Sequence, residues 1–215
     1  MSISTPVIIG GISAPDSELA RKAAALVERV HDRSTLNHVH RTWWFAEFLG
    51  RKRGLKYDRE LLYLATVMHD LGLTDEFNAD NRFEVDGADA ARRILRDSGY
   101  AESKAQQVWE AIALHSSVGI AERLAPETCL VCIGAHVDVF GMNIEEIAPS
   151  LIDDTVGQYP RLGFKLAFQQ ALGEVARKKP HLAVGTGLAE IARKHVHGFS
   201  CGSVCDLIEG APFDS

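Results

Sequence analysis

The sequence has no long apolar run. Its longest hydrophobic stretches fall far short of the roughly 20 residues a membrane-crossing helix needs, so no membrane partner is expected. It has no block of basic residues either. "RKRGLK" and "RKK" are short pieces at helix ends, and the 215 residues carry a formal net charge of −6. Nucleic-acid recognition needs a basic face, so no nucleic-acid partner is expected. No positively charged leader precedes the apolar "PVIIGGI", and a secretory signal needs one. Cysteine is scarce: Cys129, Cys132, Cys201 and Cys205 are the four present. With no sign of secretion they are expected as free thiols in a reducing cytoplasm. There is almost no alternating β pattern apart from "PVIIGGI", no Pro/Ser-rich linker and no internal repeat.

What is there is helix after helix, in a chain that is 46% hydrophobic and long enough to bury a core. "SAPDSELARKAAALVERV" opens with a Ser13-to-Asp16 cap pattern. "LNHVHRTWWFAEFLGRKRG" is amphipathic and stops at Gly54. "DRELLYLATVMHDLG" starts at a capping Asp58 and stops at Gly72. "EVDGADAARRILRDSG", "AESKAQQVWEAIALHSS", "APETCLVCIGAHVDVFG" and "YPRLGFKLAFQQALGEVARKK" follow, and "LAVGTGLAEIARKHVHG" is weakened by its glycines. The expected fold is all-α. Residues 1–14 form an N-terminal arm or strap, 15–180 the helical domain, and 181–215 an appendage packed on it.

Inside "YLATVMHDLGLTDEF", residues 63–77, His69 and Asp70 stand side by side in an apolar run. A buried charge is costly unless something pairs with it. The chain has nine histidines, and His38, His40, His69, His115 and His136 lie within or at the ends of apolar helices. His38 shares a face with Arg41, Thr42, Phe45 and Leu49, while His40 lies about 200° round the wheel, so both cannot face one centre. His69 and Asp70, about 100° apart in a last turn, can reach one point beyond it. Asp138 and His136 are again two apart, so only one of them faces inward. The helical spacing of Cys129 and Cys132 fits small buried thiols. His195, His197, Cys201 and Cys205 cluster near the end, but at spacings unlike a zinc site.

His38 with Arg41, then His69-Asp70 before a glycine, then Asp138 late in an apolar helix resembles the HD-domain superfamily of metal-dependent enzymes, over roughly residues 25–142. The resemblance implies a helical bundle around one divalent metal held by His38, His69, Asp70 and Asp138. Within the superfamily, Asn37-His38-Arg41, His69-Asp70-Gly72-Thr74, Phe83-Glu84-Gly87, Ile112-His115 and Asp138-Gly141 are similar to the cyanamide-hydratase branch. Trp43 and Trp44 stand where that branch often has a tyrosine pair.

Two imidazoles and two carboxylates suit Zn²⁺ or Fe²⁺, with Mn²⁺ or Co²⁺ also accommodated. Water at an open position of such an ion is acidified into a usable nucleophile. Asn37 and Glu84 are expected to hold the imidazoles. His115 is expected to orient substrate or move a proton, Thr74 to donate to substrate or else to close the local turn, and Phe83 and Arg41 to stand near the pocket. The expected reaction is hydration of a small nitrile-like substrate such as cyanamide to urea. The alternatives are phosphohydrolysis of a nucleotide or small phosphoester, which needs basic residues at the site, and a non-enzymatic sensor that kept the fold. A small-molecule substrate is the expected partner, and homo-oligomerisation is left open.

Overall fold

The computed structural model describes residues 7–213. Its elements are β1 (Ile8–Ile9), β2 (Ile12–Ser13), α1 (Glu18–Val30), α2 (Arg33–Lys52), α3 (Arg59–Met68), α4 (Phe83–Asp97), α5 (Glu102–Ala113) and α6 (Pro126–Phe140). There follow α7 (Pro149–Gln158), α8 (Phe164–Lys178), α9 (Pro180–Ala183), α10 (Gly187–His195) and α11 (Val204–Glu209). The all-α expectation holds. Of the N-terminal arm, residues 1–6 lie outside the described residues. Residues 8–13 form a small antiparallel hairpin with Ile9 paired to Ile12, and Ile9 is buried in the main core. None of the described helices is long and apolar enough to cross a membrane.

Side-chain caps set several helix starts. Asp58 accepts from the amides of Glu60 and Leu61, as its place before an apolar run predicts, and Asp32 does the same for Ser34 and Thr35. The first helix corrects the expectation. Its cap is Ser17, whose hydroxyl accepts from the Ala20 amide, so Ser13, Pro15 and Asp16 precede the helix. Ser17 stands three residues before Ala20, the first of the buried Ala20, Ala23 and Val27 stripe, so this start lines the cap up with the apolar face.

α2 is the central helix, buried at every residue from Ser34 to Gly50 except His40. It packs most closely on α6. A Cβ on Gly134 of α6 would lie 2.6 Å from the Thr42 carbonyl oxygen and 2.9 Å from the Ala46 side chain. Thr42 and Ala46 continue the face of His38 at helical spacing, and Asp138 stands one turn beyond Gly134. The missing side chain at 134 therefore brings Asp138 against His38 and Arg41.

A second close approach sits at the end of α3. The helix stops at Met68 rather than Gly72, and Leu71–Leu73 form a 3₁₀ turn. A Cβ on Gly72 would lie 1.9 Å from the Phe83 carbonyl oxygen, and one on Gly87 would meet the Gly72 amide at 3.0 Å. Two glycines from separate segments thus let the start of α4 rest on the backbone just after Asp70. Gly72→Ala is expected to cost at least the roughly 1–3 kcal/mol of an overpacked core and to push Phe83 and Glu84 away from the site. Chemical denaturation checks the first effect, and a variant as stable as wild type contradicts it.

A second apolar cluster joins α8, α9 and α10 to Phe83, through Leu172, Val175, Ala183, Leu188 and Ala192. The expected appendage over 181–215 thus shares its packing with α8. The Lys179 ammonium, almost fully buried, ties the cluster to α4 by an ion pair with Asp86 at 2.8 Å.

Candidate metal centre

Three imidazoles turn toward one carboxylate. His38 comes from the first half of α2, His69 and Asp70 from the end of α3, and His115 from just beyond α5. His38 Nε2 and His69 Nε2 lie 3.4 and 3.3 Å from Asp70 Oδ2, and His115 Nε2 lies 3.8 Å from Asp70 Oδ1. All four residues are buried.

The far side of each ring decides what the near side offers. His69 Nδ1 donates to the Thr66 carbonyl and His115 Nδ1 to the Ile112 carbonyl, each at 2.7 Å. His38 Nδ1 donates to Asp138 Oδ2 at 2.7 Å. Carbonyl and carboxylate oxygens only accept, so in each neutral ring the proton sits on Nδ1 and the lone pair on Nε2. Burial holds the His38 imidazole below its ordinary value and pushes His115 down to about 4, with neighbouring His69 adding to the latter. Both rings are therefore neutral near pH 7.

With both rings neutral, the Nε2 lone pairs of His38 and His69 face each other at 3.2 Å, a clash that a proton or a cation between them removes. Beside them is Asp70, whose two carboxylate oxygens are buried with no hydrogen-bond partner among the described residues. Burial alone would push the Asp70 carboxyl up, but the His69 and His38 imidazoles hold it below the usual carboxylate range. Burial likewise opposes a charge on His69, and Asp70 outweighs it, raising His69. The space between these atoms favours positive charge. The donor atoms of His38, His69 and Asp70 all lie within 4.8 Å of one another, and a divalent cation fits them. It would relieve the facing lone pairs and pair the stranded carboxylate, which otherwise costs several kcal/mol.

Asp138, expected as a fourth ligand, is placed behind His38 instead, outside that ligand group. Its Oδ1 accepts from Arg41 Nε and Arg161 Nη1 at 2.7 and 2.8 Å, and its Oδ2 from Arg41 Nη2 and His38 Nδ1, each at 2.7 Å. Burial opposes its ionisation, but His38 and Arg41 hold the carboxyl below the usual range. Arg41 is wholly buried and spends its fork on this carboxylate. Breaking a buried pair by removing one partner costs about 3–5 kcal/mol, whereas an exposed pair such as Arg29 with Glu76 is screened by solvent. Asp138→Ala is accordingly expected to lose about 3–5 kcal/mol of folding stability, read from denaturant midpoints. A loss below about 1 kcal/mol would show that Arg41 finds other partners.

The other expected residues divide. Phe83, Glu84 and His115 line a cavity of about 550 Å³ that opens from the His38 and His69 rings. Phe83 sets its ring edge-on to His115, and Glu84 accepts from Ser116 and pairs with Arg82. Asn37 does not hold an imidazole: it donates to the Pro160 carbonyl at 2.7 Å. Glu84 lies beside His115 but bonds none of the rings. Thr74 is not in the cavity wall, because its hydroxyl donates to the Leu71 carbonyl and closes the 3₁₀ turn. His40 stacks on Tyr159, away from the centre. His136 donates from Nδ1 to the Cys132 carbonyl and lines the cavity outside the ligand group. Burial pushes the Cys132 thiol up to about 12, as fits an inert core thiol. At the C-terminal end His195 bonds Gln169, and no second metal group occurs among the described residues.

A model of the HD domain matches residues 35–143. The chain belongs to the HD domain family. Two yeast proteins are also similar to it: cyanamide hydratase DDI2 and cyanamide hydratase DDI3 of Saccharomyces cerevisiae (strain ATCC 204508 / S288c). Each is 24% identical over 171 residues, which cover 77% of this chain and 76% of the yeast chain. The HD match contains His38, His69, Asp70, His115 and Asp138. It stops short of three residues that complete the centre and that sequence reading missed. Arg161 holds Asp138, Phe164 stacks on the His38 ring at 4.6 Å, and Phe168 tilts against the same ring at 5.4 Å. The signal for the two phenylalanines was their spacing of four on the apolar side of α8.

Proposed function

We propose that this HD domain protein hydrates a carbon–nitrogen triple bond in a neutral small molecule, the chemistry named for its yeast relatives. The observation that carries this reading is the charge state of the cavity wall. Among the described lining residues Arg82 is the one permanent cation, and it is paired with Glu84 at 2.6 Å. Arg41, the other candidate for phosphate, is turned to Asp138. A phosphoester would need charge-assisted donors at the reacting end, whereas a nitrile needs a proton acceptor for water and a route for that proton to nitrogen. His115 Nε2 offers the acceptor. The converging ligand group argues likewise against a sensor without chemistry.

His38, His69 and Asp70 would hold the divalent metal, with Asp138 orienting His38 from its far nitrogen. The donor set suits Zn²⁺ or Fe²⁺. When bound, the ion polarises substrate and lowers the pKa of water. The chain does the rest. Phe83 and the apolar wall exclude bulk water. His115 Nε2 takes one proton from the attacking water as its oxygen joins the nitrile carbon. The resulting imidazolium is held by Asp70 and by nearby Glu84, and returns its proton to the nitrile nitrogen. The second water proton then moves from oxygen to that nitrogen, leaving a urea.

The test is a substrate comparison on purified protein of defined metal content, scoring urea from cyanamide and phosphate from nucleoside monophosphates. Urea release supports the reading, and phosphate release without urea overturns it.

A further inference from the structure

The cavity is far larger than the substrate named for the yeast relatives requires. It holds about 550 Å³, within the range of about 300–1,000 Å³ that suits a drug-sized ligand. A molecule as small as cyanamide fills roughly 60 Å³, twice the share of one water in the liquid. The candidate metal ligands and His115 make up only part of the lining. Much of the remaining wall is apolar, built from Val139 of α6, Phe168 and Leu172 of α8, and Leu188 and Ile191 of α10, with Phe168 also reaching the His38 ring. Of these wall residues all but Val139 lie beyond residue 143, where the HD match ends. The same C-terminal helices that share a core with Phe83 therefore shape much of the cavity wall, and they bring it no charged side chain. Arg82 and Glu84, the charged residues of the wall, neutralise each other near His115.

We propose that the substrate is a monosubstituted cyanamide whose substituent is apolar and of about benzyl size, seated against α8 and α10 while its nitrile faces His115. This rests on the hydration reading. The reaction is R–NH–C≡N plus water to R–NH–CO–NH₂. The water oxygen ends doubly bonded to the nitrile carbon, both π bonds of the triple bond are lost, and the two protons released from oxygen finish on the terminal nitrogen. No oxidant or second substrate is needed. A small substrate would leave the apolar wall wet, whereas an apolar substituent buries it. One methylene in an apolar pocket already discriminates 10–200-fold.

The metal-loaded full chain is assayed with cyanamide and benzylcyanamide. The kcat/KM for benzylcyanamide is expected to exceed that for cyanamide by about 10²-fold. Calorimetry with the products, which needs no turnover, is expected to show benzylurea binding at least about 10-fold tighter than urea. Ile191 is half-buried in the wall, and Ile191→Trp is expected to cut the benzylcyanamide-to-cyanamide ratio by about 10-fold or more. Cyanamide turned over as well as benzylcyanamide, or benzylurea binding no tighter than urea, overturns the substituent and leaves hydration standing. A ratio unmoved in a folded Ile191→Trp protein also overturns it. Neither nitrile being hydrated overturns both readings.

Discussion

His69→Ala is expected to purify without its divalent metal and with turnover at background. His69 Nε2 supplies one of three converging donors, 3.2 Å from His38 Nε2 and 3.3 Å from Asp70 Oδ2, and its tautomer is fixed by the Thr66 carbonyl. Alanine removes that donor and leaves Asp70 with one ring fewer to offset its burial. The loss should also appear without any assay of activity. A ligand bound at a thousand times its Kd adds about 4 kcal/mol to folding stability, so chelation should lower the melting temperature of the wild type and leave that of His69→Ala unmoved. Elemental analysis gives the metal content directly. A His69→Ala protein that keeps a full complement of metal would show that the cation sits elsewhere.

Much of this was legible in the sequence because helices announce themselves by period. The apolar stripes placed α2 through α6, and the wheel put His38 on the same face as Arg41 and sent His40 to the other side. What failed was local. Met68 rather than Gly72 ends α3, because the start of α4 lies across the Gly72 backbone and the chain must leave the helix to pass it. That contact joins Gly72 to Phe83 and Gly87, eleven and fifteen residues on, and period carries no trace of it. Asp138 reads as a ligand by type and order. Its placement depends on Arg161, which sits in a turn before α8 with no periodic signal of its own. The roles of the rings were equally hidden, since Thr66, Ile112 and Cys132 act through backbone carbonyls that every residue possesses. The Asn37 and Thr74 side chains illustrate the same limit: each is satisfied by a carbonyl, one distant and one three residues back.

His115→Ala is expected to lower turnover by about 10²–10⁴-fold, the usual contribution of a positioned proton carrier, while metal content stays at the wild-type level. The geometry separates the two effects. His115 Nε2 lies 3.8 Å from Asp70 Oδ1, but the ring does not belong to the group of donors that lie within 4.8 Å of one another. Its Nδ1 proton is committed to the Ile112 carbonyl, and burial pushes its pKa down to about 4, so near neutrality it can only accept at Nε2. The expected proton movement is thereby given an order: His115 must first take a proton from water. Asp70 and Glu84 then make the imidazolium tolerable in a buried site, and the proton has one short path back. Truncation opens a hole but strands no charge, so the stability change should be smaller than for Asp138→Ala, where Arg41 loses its carboxylate. Unchanged turnover in His115→Ala would remove the proton carrier from the mechanism. Loss of metal from the same variant would instead make His115 a ligand, and the open side of the ion would have to be sought elsewhere.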